Sequence, residues 1–173
     1  MSGRRLSRLK KLGKCREGST AVEFAMVALP FAFMMFSVVE IAFVFVLDST
    51  LENAVIETGR LVRTGQADAA SYSMDDFKTG VCNRMSVFST GCAAKLTVDV
   101  RVIPQFTNPT LPDPLTGGTM AYNNGQPDDL MLVRAWYKHT LFTPFLQQGL
   151  SRLGDGDAYL LATTAFRNEP WDG

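Results

Sequence analysis

Residues 18–47 read GSTAVEFAMVALPFAFMMFSVVEIAFVFVL, and this stretch decides what kind of molecule the chain makes. From Phe24 to Leu47 it is apolar except for Ser37 and Glu40. As a helix those residues rise ~36 Å, enough to cross a hydrocarbon core of ~30 Å. Pro30 lies early in the run, where it removes one backbone N–H and predicts a kink or a local loosening. Before the run stand Arg4, Arg5, Arg8, Lys10, Lys11, Lys14 and Arg16, seven basic residues against Glu17. Basic residues flanking a span stay on the cytoplasmic side, so the N-terminus is expected inside and the remainder outside. A basic arm could also bind nucleic acid, but an adjoining apolar run of bilayer length argues against that partner.

An ordinary secretory signal puts its small-residue cleavage site after the apolar core. Here the small residues Gly18, Ser19, Thr20 and Ala21 come first, with Glu23 and Phe24 following. That order resembles a class III (prepilin) signal, which implies cutting after Gly18 by a prepilin peptidase and retention of the apolar segment. The run Gly-Ser-Thr-Ala-Val-Glu-Phe-Ala, the apolar span with Glu40, and Leu51 to Gly65 together resemble the TadE-like family. These are minor pilins or pseudopilins of the tight-adherence (Flp) type IV pilus system, a machine of secretion and cell adhesion. The ending Thr163-Thr164-Ala165-Phe166-Arg167-Asn168-Glu169-Pro170-Trp171 is also similar to that family's, while the residues between carry no resemblance. Major Flp pilins carry Glu-Tyr after the cut and are much shorter, so Glu23-Phe24 and a large additional domain fit the minor branch.

Composition agrees independently. The chain has 173 residues, room for one small domain and an anchor. Its formal charge is zero, yet residues 1–18 net +6 while residues 48–173 net −4. Beyond Asp48, apolar residues at 51, 54, 55, 61 and 62 with Thr58 keep helical spacing against a polar face. Arg60 and Arg63 suit a helix C-terminus and Gly65 a stop, so one helix of on the order of 70 Å is predicted from Ser19 to Thr64.

The rest reads as α+β. Met74 to Phe88 has Phe77, Val81, Met85 and Phe88 at helical spacing, with Asp75 and Asp76 near its start. Lys95 to Ile103 alternates, with Leu96, Val98, Val100 and Val102 toward a core and Thr97, Asp99 and Arg101 toward solvent. Leu130–Thr140 and Ala158–Arg167 predict two further strands, and Phe142–Leu153 a short helix entered at Thr143-Pro144. Residues 104–129 hold five prolines and read as a long functional or mobile loop. The fold class is therefore type IV pilin-like α+β, a long N-terminal transmembrane helix packed on a small antiparallel sheet head. Its parts are a cleaved leader (1–18), the long helix (19–66, transmembrane over 24–47) and a periplasmic head (67–173).

Cys15 falls in the leader, whereas Cys82 and Cys92 fall ten residues apart in the head. In an oxidising compartment that pair predicts a disulfide, with two buried free thiols as the other possibility. Catalytic groupings, phosphate loops and metal-ligand clusters do not stand out, so neither a cofactor nor an enzymatic role is expected. His139, the one histidine, reads as a surface residue of its strand. Asp128-Asp129 and Asp155-Gly156-Asp157 read as turns, with calcium the less regular alternative.

Two carboxylates bear on function. Glu23 is residue five of the mature chain that cleavage after Gly18 would leave. Glu40 lies deep, because ending the span before it would leave only 16 residues; intramembrane ionisable groups point to function by default. Glu23, Glu40 and Pro30 are thus the expected helix-contact residues. The resemblance implies a single-pass inner-membrane protein that takes part in initiating or regulating pilus assembly. Its implied partners are the prepilin peptidase, other minor and major pilins, the inner-membrane assembly platform and the bilayer, with incorporation into the pilus as a further possibility. The competing reading is an anchored envelope-binding protein that never polymerises and binds through the proline-rich loop.

Overall fold

The computed structural model describes residues 17–105, 111–151 and 153–171. The leader up to Arg16, with Cys15, and residues 106–110 of the long loop lie outside the described residues. The chain divides into two compact units, Met1–Val39 and Glu40–Gly173.

One helix, α1 (Glu17–Arg63), runs through both. In the first unit its large side chains, among them Phe24, Phe31 and Phe36, are exposed on the isolated chain. Pro30 sits inside the helix without ending it. Ser37 returns its hydroxyl to the Phe33 carbonyl at 2.9 Å, so its polar group is satisfied locally in an apolar setting. By length and composition α1 can cross a membrane.

The second unit is built on the last part of α1. Leu47, Leu51, Ala54, Val55, Thr58 and Val62 are all buried, the stripe that the spacing predicted. Thr58 hides its hydroxyl on the Ala54 carbonyl at 2.7 Å. The helix stops where Gly65 takes φ 75°, and a Cβ there would stand 2.5 Å from the Trp171 ring. A four-residue helix, α2 (Gln66–Ala69), follows. Then comes α3 (Met74–Arg84), opened by a reciprocal cap in which Ser73 and Asp76 bond each other's backbone amides. The helix expected as far as Phe88 breaks after Arg84; Ser86 takes φ 52° and the chain continues as a 3₁₀ turn over Ser86–Phe88.

A short α4 (Cys92–Lys95) leads into β1 (Leu96–Val102). Cys82 and Cys92 are joined, with Cα atoms 5.7 Å apart, which fastens α3 to the start of α4. Closing so short a loop contributes roughly 2.5–3 kcal/mol in the chain-entropy view. Cys82→Ser and Cys92→Ser should therefore destabilise the unit equally, with the double variant no worse than either. Unequal losses in parallel denaturant titrations would contradict a single shared staple.

Among the described residues the sheet has three antiparallel strands in the order β1, β2 (Leu130–Thr140), β3 (Asp157–Arg167). Between β2 and β3 lies α5 (Pro144–Leu150), shorter than Phe142–Leu153 because Pro144 takes the first helical position and the chain turns extended at Ser151. Leu96, Val98, Val100, Met131, Val133, Ala135 and Ala162 join α1, Phe77 and Val81 in one core. This is the α+β, pilin-like arrangement of a long N-terminal helix and a small antiparallel sheet.

The other face of the sheet differs from expectation. Asp99 is fully buried, while Val102, assigned to the core, is exposed at the strand end. Asp99 is covered by the segment after residue 110, whose Ala121 amide and Pro112 carbonyl bond Asp99 and Arg134. Pro114 and Leu115 line a small cavity with Trp136, and the backbone on either side of Tyr122 bonds that of Val100. The described part of the long loop is therefore a strap hydrogen-bonded to the sheet.

Candidate functional site

Three constructions in the second unit carry its chemistry. The first is Glu40. Its carboxylate accepts the backbone N–H of Phe142 and, at 2.8 Å, that of Thr143, and the residue is buried. Those amides lie where β2 gives way to α5, beyond the ladder and ahead of any intrahelical partner. Each group thus supplies what the other lacks in an apolar setting. Beside them, His139 corrects its expected surface place. It is buried between the rings of Phe43 and Phe142, at 5.4 and 6.2 Å, and burial pushes the imidazole below its ordinary range. Its Nε2 has no hydrogen-bond partner among the described residues. The alternation of β2 placed His139 correctly along the strand, but the contribution of α1 to that face was invisible to it.

The second construction is an apolar groove of about 810 Å³. Ile41, Val44 and Phe45 of α1 form one wall; Phe145, Leu146 and Leu150 of α5 form another. Asp48, Gln148 and Tyr159 are its polar lining. Phe142 and Phe145 are 79% and 77% exposed, unusual for residues set beside a formed core.

The third is the network around Asp99. Arg134, its direct cross-strand partner, donates through Nη2 at 2.6 Å and Nε at 3.2 Å. Arg101 donates through Nε at 2.8 Å and also through Nη2. The Ala121 N–H donates at 2.9 Å, and Arg134 also donates to the Pro112 carbonyl at 2.9 Å while stacking on Trp136. Burial alone would push the Asp99 carboxyl up; the bonds from Arg101, Ala121 and Arg134 outweigh it and hold the carboxyl below its usual range. The network ties the strap to the sheet.

The remaining acidic pairs are tied into local structure. Asp157 holds Lys138 at 2.8 Å, which pushes that amine up, and Asp155 accepts from Tyr159 at 3.0 Å. Asp129 accepts the Gln126 amide at 2.7 Å. Asp128 takes φ 66° and Gly154 and Gly156 are also left-handed, as turns require. The chain's last described residues return to the end of α1: the Glu169 N–H donates to the Arg63 carbonyl at 2.8 Å, and its carboxylate stands 3.2 Å from Arg63. The two stretches that carried the sequence resemblance thus meet in space.

Of the residues expected at processing and helix contacts, Gly18, Ser19, Glu23, Phe24 and Pro30 lie on α1 within the first unit. Glu40 alone is engaged inside the second unit. Residues 18–60 match the family model of TadE-like protein. The likeness is thus to a TadE-like N-terminal segment, a quarter of the chain. The TadE-like match begins at Gly18 and ends within the part of α1 that floors the folded unit, so it covers the apolar run and all of the core stripe but Val62. No curated protein and no solved structure is significantly similar to the chain.

Proposed function

We propose that this TadE-like chain is a minor pilin, or pseudopilin, that takes part in initiating or regulating assembly of the tight-adherence pilus. A prepilin peptidase removes residues 1–18, and the mature chain keeps 19–66 as its long helix, with 24–47 in the inner membrane. The leader faces the cytoplasm, and residues 67–173 form a periplasmic head. Other pilins and the assembly platform are its partners, met through Glu23 and the apolar surface around Pro30. The observation that carries this reading is a family match starting at Gly18, the residue before the proposed cut, on a helix that continues into a folded α+β unit.

Cutting there frees an α-amine on Ser19, largely charged at neutral pH. In the low dielectric of packed helices, pairing with the Glu23 carboxylate of the same or a neighbouring subunit is much stronger than in water. Gly18→Leu should abolish cleavage, scored by mass spectrometry of the mature N-terminus. Glu23→Ala should leave insertion and cleavage intact while surface pili fall sharply. An anchored binding protein that never polymerises would tolerate both changes; normal piliation by Glu23→Ala cells would favour it.

A further inference from the structure

We propose that the segment from Phe142 to Leu150 is immersed in the lipid leaflet on the head side, as a second membrane contact beside α1. The proposal rests on the reading that α1 spans the bilayer, and adds a specific depth for part of the folded unit. The apolar run ends at Leu47, and Asp48 is the first charge beyond it. Glu40 lies seven residues earlier on the same helix, about 10 Å nearer the bilayer centre at 1.5 Å per residue. Its carboxylate holds the amides of Phe142 and Thr143, so the start of α5 is fixed at that depth.

The exposed side chains there are mostly those that lipid accepts; Gln147 donates to the Leu141 carbonyl at 2.7 Å, and Gln148 is the polar exception. Phe142 and Phe145 are the most exposed phenylalanines among the described residues of the second unit, and Ile41 and Phe45 of α1 line the same groove as Phe145. The groove between α1 and α5 is lined mostly by apolar side chains, with Asp48 at the end of its α1 wall, where the membrane surface would lie, and Gln148 and Tyr159 completing its lining. Tyr suits such a border, having an apolar ring and a polar tip. A polar backbone at bilayer depth must be satisfied internally, and the two amides that precede α5 are satisfied by Glu40. Were the surface instead at Glu40, 16 residues would have to span the core and this continuous apolar surface would face water.

The test is spin-label accessibility in liposomes, with the full chain in a Cys15→Ser background that keeps the Cys82–Cys92 bridge. Labels are placed by Phe145→Cys and, separately, by Phe142→Cys; Phe33→Cys reports the span and Val87→Cys, at a position 81% exposed on the head, reports water. Labels at 142 and 145 should collide several times more often with oxygen than with a water-soluble nickel chelate, as at 33, with the opposite ratio at 87. Nickel access at 142 and 145 with an oxygen-rich 33 would overturn the immersion and leave the spanning helix standing. Low access to both reagents would overturn it in favour of cover by a second copy. Nickel access at 33 as well would overturn the spanning reading, and the immersion with it.

Discussion

Replacing Asp99 by alanine should cost the folded unit about 3–5 kcal/mol, the loss typical of removing one partner from a buried ionic network. Asp99 is fully buried and answers two guanidiniums and one amide. Without it Arg134, itself buried, keeps only the Pro112 carbonyl and the Trp136 face, and the Ala121 N–H loses its acceptor. Asp99→Asn should cost less, because an amide oxygen can still accept one bond. The sign of the pH dependence follows from the same contacts. The folded-state pKa is depressed, so this contribution is fully present above the unfolded value of ~3.9 and fades as pH falls from there through the folded value. Urea titrations of wild type and Asp99→Ala near pH 7 and pH 3 give the comparison. A loss below about 1 kcal/mol at neutral pH, or a gap that fails to narrow in acid, would show that the network does not hold the strap.

Glu40→Leu should loosen the junction of β2 and α5 by about 3 kcal/mol, since two charge-assisted bonds vanish and two amides remain in apolar surroundings. The effect is local: the amides of Phe142 and Thr143 and the turn through Leu146 should exchange hydrogen much faster, while β1 and α3 keep their protection. A carboxylate merely tolerated at that depth predicts the reverse, because leucine would raise hydrophobicity at no structural cost. Hydrogen exchange read by mass spectrometry decides between the two, with unchanged protection at 141–147 excluding the clamp. Glu40→Gln keeps one acceptor oxygen and should fall between.

Local periodicity was enough for the elements. The stripe on α1, the alternation of β1 and the turn residues around Pro144 located helix, strand and short helix to within a few residues. The disulfide followed from compartment and parity, and the bond is present between Cys82 and Cys92. What stayed hidden depends on pairing at a distance. Asp99 reads as a solvent-facing residue until β1 is set against β2 with Asp99 opposite Arg134, and the 27 residues between the strands give no turn signal that fixes such a register. Glu40 and Phe142 lie 102 positions apart, and backbone amides carry no side-chain signature, so a carboxylate taken up by them leaves no pattern. His139 was misplaced for the same reason: its cover comes from Phe43 on α1 and Phe142 ahead of α5, neither next to it in sequence.

The burial of Leu47 to Val62 beneath the sheet sets where this chain can be exchanged with a relative. A swap that joins a foreign helix at Arg63 or Gly65, the visible end of α1, would remove the floor of the core and bring in a stripe unmatched to Val98, Val133 and Phe166. Gly59 sharpens the restriction, since any side chain there would meet the Phe166 ring at 3.3 Å. A junction between Val39 and Glu40, in mid-helix and inside the apolar run, would instead carry the floor and the Glu40 clamp along with the head. The exchangeable module therefore begins where no loop, turn or change of composition marks a border.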